Sequence, residues 1–168
     1  LLAAPSAQAQ SAGDFPNRPM RIIVPFAPGG ATDVLARMVG AKLTEAWGQQ
    51  VVVENRPGAG GNIGAEAGAR AAADGYTLTL AAAGFMAVNP SVYAKLPYDS
   101  VKDFAPVSLL VKAPLLLVAN STLPARTLKE LIDFAKANPG KLNIGNGGAG
   151  TAQHLGGEFF TSAAGISA

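Results

Sequence analysis

Two short segments concentrate the residues that can hold a ligand. Pro25-Phe26-Ala27-Pro28-Gly29-Gly30-Ala31-Thr32-Asp33 lies between an apolar run and a helical pattern, and so does Gly145-Asn146-Gly147-Gly148-Ala149-Gly150-Thr151-Ala152-Gln153-His154. In each, glycines bring bare backbone N–H groups to the start of a helix, where unpaired donors and the positive dipole end favour an anion. Thr32 and Thr151 can add a hydroxyl or act as caps. Two such cradles facing one another would clamp a carboxylate. Asp33 reads equally as a dipole partner in a first helical turn or as a contact to a ligand amine or hydroxyl. His154 is the single histidine, so a two-histidine metal site cannot be built, and it reads equally as a local packing residue or a ligand contact.

Other chemistries fit less well. Gly145 to Gly150 matches G-x-G-x-x-G, but the acidic residue expected about 20 positions later would fall beyond Ala168. The same loop nearly matches a nucleotide-triphosphate loop, with Thr151 where that motif needs Lys. Gly58 to Gly64 resembles a dinucleotide turn, yet the next strand closes on Leu80-Ala81-Ala82-Ala83-Gly84 without an acid. A nucleotide-dependent α/β enzyme built on residues 145–150 is therefore the alternative of another class. No G-x-S-x-G elbow and no clear Ser-His-Asp set can be read. Neither a cofactor nor catalysis is expected.

The elements that must position these loops follow from periodicity. Arg21 to Phe26, Val51 to Asn55 and Tyr76 to Ala83 read as strands, and Thr32 to Trp47 and Gly61 to Ala72 as helices. That alternation predicts a parallel sheet with helices on its faces, the cradles lying at strand C-terminal ends. Val107 to Ala119 reads as two strands meeting at Lys112-Ala113-Pro114, a candidate hinge. Thr127-Leu128-Lys129-Glu130 is a capping box opening a helix that Asn138-Pro139-Gly140 ends. Leu142 to Ile144 reads as a strand, and Thr151 to Ala164 as a helix.

Composition narrows the classes further. The 168 residues are 49% hydrophobic and only 14% charged, against about 25% charged in ordinary proteins. A net charge of +2 without a basic cluster disfavours nucleic acid. The absence of cysteine removes thiol chemistry, disulfides and thiolate metal sites. Residues 1–9, closing on Ala7-Gln8-Ala9, read as the remnant of a signal peptide with cleavage after Ala9. No stretch reaches the roughly 20 apolar residues of a spanning helix, so a membrane-embedded protein is not expected.

An ordered series of motifs resembles the substrate-binding proteins of tripartite tricarboxylate transporters, the Bug-type periplasmic receptors. It comprises Arg18-Pro19 through Pro25 to Asp33, Val53-Glu54-Asn55-Arg56-Pro57-Gly58-Ala59-Gly60-Gly61, Asp74-Gly75-Tyr76-Thr77-Leu78, Asn89-Pro90-Ser91-Val92-Tyr93, Leu96-Pro97-Tyr98-Asp99 and Gly150 to His154. The resemblance implies an α/β, periplasmic-binding-protein-like fold of two lobes closing on a ligand. It places the first lobe at 10–112 and an incomplete second lobe at 113–168. It implies capture of a small carboxylate in the periplasm for the membrane subunits of a transporter, or, as an alternative, for a signalling partner. Carried onto this chain, the ligand-binding residues are Ala27, Gly29, Gly30, Ala31, Thr32 and Asp33 in the first loop, and Asn146, Gly150, Thr151 and His154 in the second. Ala83 and Gly84 would line the cleft between them. Phe85-Met86 replaces the polar residue and His common in the family, which points to a more apolar carboxylate if that wall faces ligand.

Overall fold

The computed structural model describes residues 15–168. The proposed signal remnant lies outside the described residues. Three parallel strands form one sheet in the order β2-β1-β3, with β1 Met20–Val24, β2 Val51–Asn55 and β3 Thr77–Thr79. β1 is central, which is why its run is apolar without alternation: Ile22, Ile23 and Val24 are all buried. Full burial of a side chain such as Val24 contributes about 1.5–3 kcal/mol.

Helix α1, Ala31–Trp47, follows β1, and α2, Asn62–Ala69, follows β2. α1 lays Ala36 into a cluster with Ile22, Val24 and Leu80, with Leu35, Val39, Val51 and Val53 around it. A second cluster of Ala65, Phe85 and Tyr98 lies under Phe26, Met86, Leu96 and Phe104. Gly64 lets α2 meet the end of β1, since a Cβ there would stand 2.6 Å from Pro25 Cα and 2.9 Å from the Arg56 carbonyl.

Beyond β3 the backbone leaves the sheet. Leu80 N–H still donates to Ile23 O at 2.9 Å, but the strand expected to reach Ala83 ends early. A π-turn at Gly84–Val88 runs into the short helix α3, Asn89–Val92. Neither was expected, because a five-residue apolar stretch carries no helical period.

The two strands expected over Val107 to Ala119 and the strand over Leu142 to Ile144 do not form. A strand is stable only when paired and covered, and residues 105–122 are exposed throughout, with Val107 and Leu116 each at 84%. The predicted helices of this part are present as α4, Leu128–Ala137, and α5, Ala152–Ala164. The capping box forms as expected: Glu130 N–H donates to Thr127 Oγ1, and Thr127 N–H to Glu130 Oε2, both at 3.2 Å. No described helix is long and apolar enough to cross a membrane.

Candidate functional site: two glycine-rich loops

The first loop leaves β1 through the buried Pro25 and enters α1 with Gly30 as N-cap. Gly29 has φ +84°, a left-handed conformation that glycine takes without strain. Gly30 has an ordinary φ of −77° and only Ala27 O, at 3.8 Å, near its missing Cβ. Val34 N–H donates to Gly30 O, the first bond of the helix. The amides of Ala31, Thr32 and Asp33 meet no acceptor among the described residues, and Gly30 N–H faces Ala27 O across the turn at Pro28-Gly29. Ala27 and Gly29 to Ala31 are exposed, so an anion can approach these donors. Thr32 stands inside the helix and does not cap it.

Asp33 is spent within this loop. Its Oδ2 accepts from Gly29 N–H at 2.9 Å and from Arg37 Nε at 3.0 Å, and its Oδ1 from Asn55 Nδ2 at 3.0 Å. Asn55 Nδ2 also donates to Phe26 O at 3.1 Å. The carboxylate thus ties the loop's middle, the helix and the end of β2 together, while 3% exposed. The Arg37 guanidinium, then the Gly29 amide and the Asn55 side chain, hold its pKa down at about 2. Of the two readings of Asp33, the structural one describes these contacts. Asn55 was legible only as a family mark.

The second loop is tied to itself and to α5. Asn146 Oδ1 accepts from Gly148 N–H at 2.9 Å. Thr151 Oγ1 donates to Gly148 O at 2.7 Å and accepts from His154 N–H at 3.3 Å, capping α5. Gly150 N–H donates to His154 Nδ1 at 3.4 Å, which puts the proton of a neutral imidazole on Nε2. His154 is therefore used locally, and Thr151 is 3% exposed with its hydroxyl engaged. Asn146 and Gly147 to Ala149 are exposed. An open groove of about 410 Å³ runs from Asn146 and His154 toward Ile166, and none of its lining comes from the first loop.

The wall at Ala83-Gly84 is met by the second loop itself. Ala83 is exposed, but Gly84 is buried, and a Cβ on it would sit 2.8 Å from Gly150 O. Phe85 is fully buried against Phe26, with ring centroids 6.4 Å apart. It does not form an apolar ligand wall, and the expectation built on Phe85 is corrected accordingly. Beneath it Asn89 Nδ2 donates to Asn62 Oδ1 at 2.6 Å, and Tyr98 Oη lies 2.7 Å from both Asn62 Oδ1 and Phe85 O. Burial pushes the Tyr98 hydroxyl's pKa up, so it stays neutral. Asn89 and Tyr93 were quoted within a motif, but no role could be read from their types alone. Among the described residues no group of three or more His, Cys, Asp or Glu could hold a metal ion.

Three parallel strands with helices following β1 and β2, and a glycine-rich loop at the C-terminal end of β1, define an α/β fold. Residues 35–168 match the model of the tripartite tricarboxylate transporter family receptor, and the chain belongs to that family. It is 45% identical to the Bordetella pertussis protein BugT over 151 residues, covering 89% of this chain and 46% of that one. Among solved structures, an R. palustris protein with adipate superposes with a TM-score of 0.89 at 39% identity, covering 92% of this chain and 52% of that one. MatC from Rhodopseudomonas palustris, with bound malate, gives 0.84 at 34% identity, covering 91% and 52%. The chain spans about half the length of the curated relatives it matches. The fold is that of a periplasmic binding protein of the Bug type, and the family is one of solute-binding receptors.

Proposed function

We propose that this protein is a periplasmic receptor that binds a small carboxylate and hands it to the membrane subunits of a tripartite transporter, without catalysis. The observation that carries this reading is the exposed start of α1, where the amides of Ala31 and Thr32 meet no internal acceptor at the positive end of the helix. Neither loop contains a lysine or arginine, and Arg37 is engaged by Asp33, so backbone donors are what a carboxylate would meet. The second loop brings the exposed amides of Gly147 and Ala149. On this reading residues 10–112 form the first lobe and 113–168 belong to the second, and residues 1–9 direct export. The adipate and malate held by relatives suggest a dicarboxylate.

Calorimetry of the complete gene product against adipate, malate, citrate and acetate tests this. One or more should bind in a 1:1 complex, and Gly30→Val should weaken that binding. A folded protein that binds none of them would refute the reading.

A further inference from the structure

The second loop rests on three residues of the sheet-bearing part of the chain, Gly84, Asn89 and Tyr93. Gly84 accepts it closely: the three atoms nearest to a Cβ built there are Gly150 O, Thr151 Cα and Gly150 C, at 2.8, 3.2 and 3.6 Å, all from the second loop. The Tyr93 hydroxyl lies 3.4 Å from both Ala59 O and Ala149 O, so one proton serves two carbonyls from segments far apart in sequence. Asn89 lies beneath Gly150 and is fully buried. Its Nδ2 is spent on Asn62, while its Oδ1 is a buried acceptor with no donor, and any side chain on Gly150 would overlap that oxygen.

This seat is tight in shape but incomplete in hydrogen bonding. A buried acceptor without a donor costs free energy only while water is kept from it. Lifting Gly150 would let water reach Asn89 Oδ1, so the seat resists docking at one atom and favours it at the others. A ligand shared between the two loops would hold the second one down. We propose that Asn89 and Tyr93 are positioning residues of the carboxylate site: they seat the second glycine-rich loop on the sheet-bearing part of the chain, so that ligand binding and docking of that loop are one coupled event. This rests on the carboxylate reading above. It assigns these two side chains a task away from the ligand, acting through the backbone of Ala149 and Gly150.

The test uses the complete gene product as wild type, Tyr93→Phe and Gly84→Ala. Melting temperature, calorimetry with adipate and malate, and hydrogen exchange of the 145–154 segment with and without those acids are the readouts. Ligand should slow exchange at 145–154 in the wild type. Gly84→Ala, whose methyl would meet the second loop at 2.8 Å, should lose that protection and bind weakly while still melting cooperatively. Tyr93→Phe should weaken binding about 2- to 13-fold, the value of one neutral hydrogen bond, through faster dissociation at an unchanged association rate. Equal protection of 145–154 in Gly84→Ala and wild type would overturn the proposal, as would ligand-independent protection in a wild type that binds. If the wild type binds neither acid, the functional reading fails by itself. The seat is then judged by exchange without ligand: faster exchange at 145–154 in both variants supports it, and unchanged exchange overturns it.

Discussion

The two glycine-rich loops share a composition and a place at a helix start, yet the structure uses them differently. The first keeps its glycines exposed, braces itself from behind with Asp33, and leaves the amides of Ala31 and Thr32 without an internal acceptor. The second turns Gly150 inward against Asn89, satisfies Gly150 N–H with His154, and closes its helix start with Thr151. Similar positive φ values underline the contrast: +84° at Gly29 and +81° at Gly150. A Cβ on Gly29 would meet nothing within 4 Å, whereas one on Gly150 would collide with a buried side chain. Glycine at a helix start can therefore admit a ligand or admit another piece of the same protein. Only the surroundings decide which.

Substitution of the paired glycines gives the largest separation between the loops. Gly29→Ala should cost about 1–2 kcal/mol, the strain of a left-handed non-glycine residue. Gly150→Ala should carry that strain plus about 1–3 kcal/mol of overpacking against Asn89. Urea unfolding of both variants checks the difference, and equal losses would erase the distinction.

Gly30→Val probes the open loop with little backbone strain, because Gly30 has an ordinary φ and free space. Blocking a charge-assisted hydrogen bond worth about 1.5–3 kcal/mol should weaken carboxylate binding about 10- to 150-fold, while the melting temperature falls only by the modest cost of valine in place of an N-cap glycine. Calorimetry beside thermal unfolding reads both.

Thr151→Ala reverses that pattern. Loss of the α5 cap should lower stability by about 0.5–2 kcal/mol, and affinity should fall less than in Gly30→Val, because the hydroxyl is already committed to Gly148 and His154.

Asp33→Asn should lower stability modestly at neutral pH, where the carboxylate brace is intact, and converge with the wild type in acid. The Asp33 pKa is lowered from 3.8 to about 2, so its contribution to stability is fully present above pH 4 and is lost as pH falls through 2. Acid titration of unfolding should show this component in the wild type and not in Asp33→Asn. Identical acid profiles would show that the Asp33 brace contributes nothing.

Local rules made much of this protein legible in its amino-acid order. The apolar run of β1, the amphipathic pattern of α1, the Thr127–Glu130 box and the glycines at both helix starts each act within a few residues, where chain geometry leaves little choice. Tertiary structure decided the rest. The apolar residues of 107–119 have the composition of strands, but a strand exists only through a paired neighbour, and none pairs with them among the described residues. Phe85 follows Gly84 in sequence and could have lined a cleft there, yet it turns into the core with Phe26. Asp33 could have faced a ligand until Asn55, 22 residues away, and Arg37 claimed its oxygens. Asn89 carries nothing in its type or spacing that announces a seat for Gly150, because that role depends on two segments meeting only after the chain has folded.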